Sequence, residues 1–259
     1  MNNYFLLNND DFSLNSSLDI FNFPPNKSFC KDKIKDIYLY AFYSDGKKWI
    51  HKQITKINKN DYFLLKKSDL PNNFQDKSVF ISFTFRPNEF YLSLQNFNYM
   101  NSTPQWRANT KLFNDNCSTS YQSEYPSSIL DKKISLVSCS PMIQKKYNNY
   151  FYLINLTNEP KKKEFLIEVM NTKKEIIYKE IFYTNTINHF NLKKTKFEFL
   201  EQFYIFKSTN FGGVPLYLSI SDDACAMSME HTHPPNEYIF LGDRNFFQKK
   251  KKNFWFSKK

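Results

Sequence analysis

The sequence predicts an all-β chain of two tandem antiparallel β-sandwich domains of immunoglobulin or fibronectin type, related by internal duplication. Three observations predict it. Aromatic residues make up 19% of the 259 positions, and Phe and Tyr favour strands. No long stretch carries helical periodicity bounded by caps. Similar segments recur in the same order along the chain.

The recurrence is concrete. Asp45-Gly46-Lys47-Lys48-Trp49-Ile50-His51-Lys52-Gln53-Ile54 aligns without a gap on Thr172-Lys173-Lys174-Glu175-Ile176-Ile177-Tyr178-Lys179-Glu180-Ile181, which begins 127 residues later. The same spacing relates Phe63-Leu64-Leu65-Lys66-Lys67-Ser68 to Phe190-Asn191-Leu192-Lys193-Lys194-Thr195. Tyr91–Leu94 then matches Tyr217–Ile220 at a spacing of 126. A duplication places copy one at residues 1–125 and copy two at 126–259, the second with a basic C-terminal tail.

The strands follow in order. Ile20–Phe23 opens the first copy. Ile37–Tyr43 is a dense apolar run that ends at Asp45-Gly46, a hairpin signal, and Trp49–Ile57 returns. Leu70–Phe74 has room for one helical turn. Phe80–Phe85 alternates with period two, as a half-buried strand does, and Pro87 ends it. Polar, turn-rich residues between Asn114 and Lys133 mark the boundary. The second copy has Tyr150–Leu156, then Phe165–Met170, a turn at Asn171–Lys174, and Ile176–Tyr183. Phe203–Phe206 and Tyr217–Ile220 follow, and Asp222-Asp223 turns the chain towards Met227. Six or seven strands per copy suit a sandwich.

The formal net charge is +11. The tail contributes heavily, through Lys249 to Lys252, Lys258 and Lys259. Arg86, Arg107 and Arg244 are the sole arginines among 36 basic residues. Arg is the side chain whose planar fork matches phosphate and guanine, so nucleic acid is disfavoured as a partner; an anionic surface or nucleic acid held by the Lys tail is kept as a second alternative. No segment reaches the ~18 apolar residues of a membrane-spanning helix. Met1 to Asp10 lacks a basic leader region. Cys30, Cys117, Cys139 and Cys225 form no CxxC pair, which points to free thiols in a reducing, cytoplasmic setting.

Two clusters carry candidate chemistry. The first is Thr103 to Asn109 with Ser120 to Pro126, where Trp106, Arg107, Tyr121, Gln122 and Glu124 combine flat aromatic faces with amide, carboxylate and guanidinium groups. Such a set stacks on a sugar ring and hydrogen-bonds its hydroxyls. Arg244 joins these candidate ligand-binding residues. The competing reading of the cluster is an interdomain seam with Arg107 paired to Glu124.

The second cluster is Glu230-His231-Thr232-His233-Pro234-Pro235-Asn236-Glu237. On an extended strand His231 and His233 face one side, and Glu237 supplies an oxygen. Two imidazoles and a carboxylate suit a divalent transition metal, Fe, Mn or Zn, with His51 or His189 as an added ligand. The string resembles the first metal motif of the cupins, with Gly242 near the motif's terminal glycine. It departs where Cys225 replaces the leading glycine and where no histidine follows Glu237, so no family is assigned.

No G-x-S-x-G occurs, Gly212-Gly213 opens a strand rather than a phosphate loop, and Asp10-Asp11 and Asp222-Asp223 are too isolated to suggest a glycosidase acid pair. The expectation is therefore a non-catalytic binding or interaction protein that recognises a polar ligand, a carbohydrate or a protein partner, at its loop or interdomain face. A metal-binding protein or small metalloenzyme on His231, His233 and Glu237 is the alternative. Exposed edge strands of two open sandwiches also allow a homodimer.

Overall fold

A computed structural model shows the strands expected from composition, and it describes residues 3–9, 11–22, 35–90, 108–125, 134–139, 147–195, 204–230, 237–241, 250, 253, 254 and 256. The chain divides into two compact units, Met1–Ser128 with Asn158–Lys161, and Ile129–Thr157 with Lys162–Lys259.

In the first unit the strands are β1 (Asn3–Phe5), β2 (Asn15–Asn22), β3 (Ile37–Ser44), β4 (Trp49–Ile57), β5 (Asp61–Lys66), β6 (Phe80–Thr84), β7 (Asn109–Phe113), β8 (Ser118–Gln122) and β9 (Glu124–Tyr125). They pair as one antiparallel sheet in the order β4-β3-β6-β1-β9 and another in the order β5-β2-β7-β8. The Asp45-Gly46 turn is as expected. The Asp45 carboxylate accepts from the backbone N–H groups of Lys47 and Lys48, both at 2.8 Å, and Gly46 takes φ +93°. Leu18 and Ile20 of β2, Leu39 and Ala41 of β3, Leu65 of β5, and Ile81 and Phe83 of β6 share one apolar cluster. Their alternate spacing along each strand puts them on a common face.

In the second unit the strands are β10 (Ile134–Cys139), β11 (Tyr147–Asn155), β12 (Glu164–Met170), β13 (Ile176–Tyr183), β14 (Thr186–Asn191), β15 (Ile205–Ser208), β16 (Val214–Ser221), β17 (Met227–Glu230) and β18 (Glu237–Leu241). Their sheets run β13-β12-β15-β10-β18 and β14-β11-β16-β17. Counted from the start of each unit, this is the pairing order of the first. Phe151, Ile167, Val169, Phe182, Phe206 and Tyr217 form the core, with the Phe151 and Phe206 rings stacked at 4.1 Å.

The expected immunoglobulin- or fibronectin-like pair of sandwiches is corrected here. That topology keeps the first strand beside the second and the third beside the sixth and seventh in a separate sheet. In this chain β1 pairs with β6 and β9, while β2 pairs with β5 and β7. The architecture is four small antiparallel sheets of four or five strands, the count and sheet size of a four-bladed β-propeller. The duplication read from a constant spacing also fails in its third match. The strand in the place of β16 is β7 (Asn109–Phe113), and Tyr91–Leu94 lies outside the described residues.

Among the described residues, most left-handed turn positions other than Gly46 are filled without glycine. The chain has 4 glycines, and Asn60, Asn88, Asn185 and Asn210 take φ values of 61°, 61°, 56° and 65°. Asparagine tolerates this region because its short amide bonds locally. The Asn185 side-chain oxygen accepts the Thr157 backbone N–H at 2.7 Å, a contact made across 28 residues of chain. Among the described residues no helix is long and apolar enough to cross a membrane.

Candidate functional site

The residues singled out from the sequence are not gathered into one described site. Trp106, Arg107, Arg244, His231 and His233 lie outside the described residues. Tyr121 and Gln122 close β8, facing Thr110 and Asn109 of β7, and Glu124 opens β9 opposite Tyr4. Glu237 opens β18 in register with Ser138. Of the added metal ligands considered, His51 stacks on Phe90 at 4.4 Å in the first unit, and His189 stacks on Tyr152 at 4.9 Å in the second.

A cleft of about 460 Å³ stands instead at one end of the first unit, within the size range of small-ligand sites. Its walls are local consequences of the sequence. After β5, Lys67–Asp69 forms a 3-10 turn, closed where the Asp69 carboxylate accepts the Lys66 backbone N–H at 3.1 Å. Pro71 then starts the one-turn helix α1 (Asn72–Gln75), because a proline needs no N–H partner there. Phe74 anchors α1 in the core, edge-on to Tyr43 at 5.0 Å. The Gln75 amide donates to the carbonyls of Ser68 at 3.1 Å and Leu70 at 2.9 Å. Both amide hydrogens are thereby used, and its oxygen is left as an acceptor.

On the opposite wall, Ser13 turns the chain at φ 50° into Leu14 and β2. Ser16 follows, paired with Leu112. It is 3% exposed, and its hydroxyl has no hydrogen-bond partner among the described residues. A buried hydroxyl left unpaired costs about 1–3 kcal/mol. The half-buried Phe113 ends β7 at the rim, with the Lys111 ammonium 5.5 Å from its ring centre.

The charge of the cleft is mixed. Lys66 is exposed and its ammonium has no ion-pair partner among the described residues. Lys67 donates to the Asn8 side-chain oxygen. Asp76 is the acidic residue of the lining. The arrangement offers a hydroxyl, an amide oxygen, cations and one aromatic edge, which bind and orient.

Several titratable groups outside the cleft are displaced from their ordinary values. Asp36, Asp45, Asp222 and Asp223 are held below the usual carboxylate range, chiefly by Lys56, by the Lys48 backbone N–H, by Lys193 and by the Ser221 hydroxyl respectively. A general acid needs the reverse displacement. Burial pushes the Cys139 thiol up to about 11, so it stays protonated and a poor nucleophile at neutral pH. The Tyr178 hydroxyl, which donates to Glu180 at 2.5 Å, is pushed up to about 12 by that bond and by burial.

Compared with protein-family models, with curated proteins and with solved structures, the chain finds no match.

The Lys-Lys-Ser-Asp turn after Phe63-Leu64-Leu65 is legible in the sequence as part of the recurrence. Ser16 and Phe113 reach it through strand pairing across long separations, which leaves no local signal.

Proposed function

We propose that the chain is a non-catalytic binding protein whose first unit takes a polar, hydroxylated ligand in the cleft beside Ser16, with carbohydrate as the leading class. The unpaired Ser16 hydroxyl carries this reading, because a buried polar group without a partner is stabilised by one that a ligand or ordered water brings. Gln75 adds an acceptor for a sugar hydroxyl, and Phe113 adds the apolar edge on which a pyranose ring packs. Cytoplasmic placement belongs to the same proposal and is supported by Cys117, Cys139 and Cys225 being free thiols.

A panel of immobilised glycans tests it. Retention of at least one saccharide, weakened about tenfold by Phe113→Ala (about 1.4 kcal/mol) with an unchanged unfolding midpoint, is the expected result. A protein that retains no saccharide rules the carbohydrate reading out.

A further inference from the structure

The same corner of the fold occurs in both units, and its chemistry differs between them. In the second unit it lies where the start of β11, the turn after β14 and the end of β16 meet. There Asp222, the residue after β16, accepts from Lys193 Nζ at 2.7 Å and from the Asn148 amide at 2.7 Å. Asn191 reaches the Asn148 side-chain oxygen at 3.5 Å. The Lys193 and Asp222 charges of that corner are paired with each other.

Register places the counterparts in the first unit. Ile20 of β2 faces Phe63, as Phe151 of β11 faces Phe190. Counting two residues back from Ile20 twice gives Ser16 opposite Leu112; from Phe151 it gives Tyr147 opposite Ser221. Phe113, the residue after Leu112, therefore stands where Asp222 stands. Lys66 stands in the place of Lys193, each being three residues past its phenylalanine. The first unit keeps the lysine and replaces its carboxylate with a phenyl ring.

Resting on the carbohydrate reading above, we infer that the ligand of the first unit is an acidic sugar, whose carboxylate takes the place beside Lys66 that Asp222 takes beside Lys193. An exposed cation at the mouth of a cleft donates to either kind of sugar, but a carboxylate adds the attraction of opposite charges that a neutral hydroxyl lacks. Lys67 adds a second positive charge to the lining beside Asp76, while the nearby Asp69 carboxylate is turned to the Lys66 backbone N–H rather than to its ammonium. Phe113 turns the position that closes the other corner into a packing surface for the ring carrying that carboxylate. The corner in the second unit, already neutralised, takes no such ligand.

Calorimetric titration of the full chain with galacturonate and with galactose, each repeated on Lys66→Gln, tests the inference. The expected result is galacturonate bound about fivefold more tightly than galactose, a preference that Lys66→Gln removes and that added salt weakens. Lys66 is exposed, so the variant keeps the wild-type urea midpoint, which is measured alongside. Equal binding of the two sugars overturns the acidic-sugar inference and leaves the carbohydrate reading standing. Galacturonate preference that survives Lys66→Gln overturns the assignment to Lys66. Binding of neither sugar, nor of any saccharide on the glycan panel, overturns the carbohydrate reading and the inference with it.

Discussion

Gly213 and Asn155 show how little freedom single residues have in this fold. Asn155, at the end of β11, donates to the Gly212 carbonyl at 2.5 Å and accepts the Asn185 N–H at 3.1 Å. The bond to Gly212 goes with an approach so close that a Cβ on Gly213 would collide with the Ile154 carbonyl, 2.8 Å from its carbon and 3.3 Å from the Asn155 Cα. These are backbone atoms in a paired strand, so they yield only by breaking the β11–β16 ladder. Gly213→Ala is predicted to destabilise the second unit by about 3 kcal/mol, the upper end of overpacking costs, read as a lower urea midpoint with an unchanged slope. The role is illegible in the sequence, where Gly212-Gly213 marks a strand start and says nothing of the neighbour it must admit.

At the scale of elements, the strands and turns written in local patterns were legible and their partners were not. Phe80 to Phe85 alternates in the sequence, and β6 forms there; Asp45-Gly46 announces a hairpin, and β3 and β4 flank it. β1 (Asn3–Phe5) opens the short apolar run Tyr4–Leu7, which marks buried chain but not a strand or its partners. Its place between β6 and β9 is decided by burial of Tyr4 and Phe5 against residues far along the chain. The same holds for the two corners. Both Lys-Lys turns are visible in the sequence, yet whether a lysine meets a carboxylate or a phenyl ring depends on which strand pairs beside it.

The closed corner yields a pH prediction. Hydrogen bonding and charge from Lys193 depress the Asp222 carboxyl from its ordinary 3.8. A depressed acid contributes stability above its unfolded value and loses it as pH falls through the folded value. Asp222→Asn is predicted to lower the urea midpoint slightly at pH 7, the exposed pair being screened by solvent. The difference should fade on acidification below that range. A difference that persists unchanged at low pH contradicts the ion-pair account.

Over the whole molecule, composition declared the all-β class, and recurrence exposed two stretches of like strand grammar. The immunoglobulin-like inference failed because strand counts and turn spacings are compatible with several pairing orders. Pairing order is set by which faces bury together, a relation between distant residues such as Leu18 with Leu65 and Thr110. The functional reading moved for the same reason. The candidate clusters around Trp106 and His231 were sets of chemically able residues close in sequence. The cleft is assembled from the starts and ends of β2, β5, β7 and α1, and its distinguishing features are a hydroxyl and an ammonium that the fold leaves without partners.

The central claim, that this cleft is the binding site, is tested most directly by amide chemical-shift mapping of the isotope-labelled full chain titrated with galacturonate. The account predicts saturable shifts concentrated at Leu14 to Ser16, Lys66 to Ser68, Gln75, Asp76 and Phe113, with the corner around Asn148, Lys193 and Asp222 unmoved. Saturable shifts centred on that second corner, or no saturable shifts at all, would contradict it.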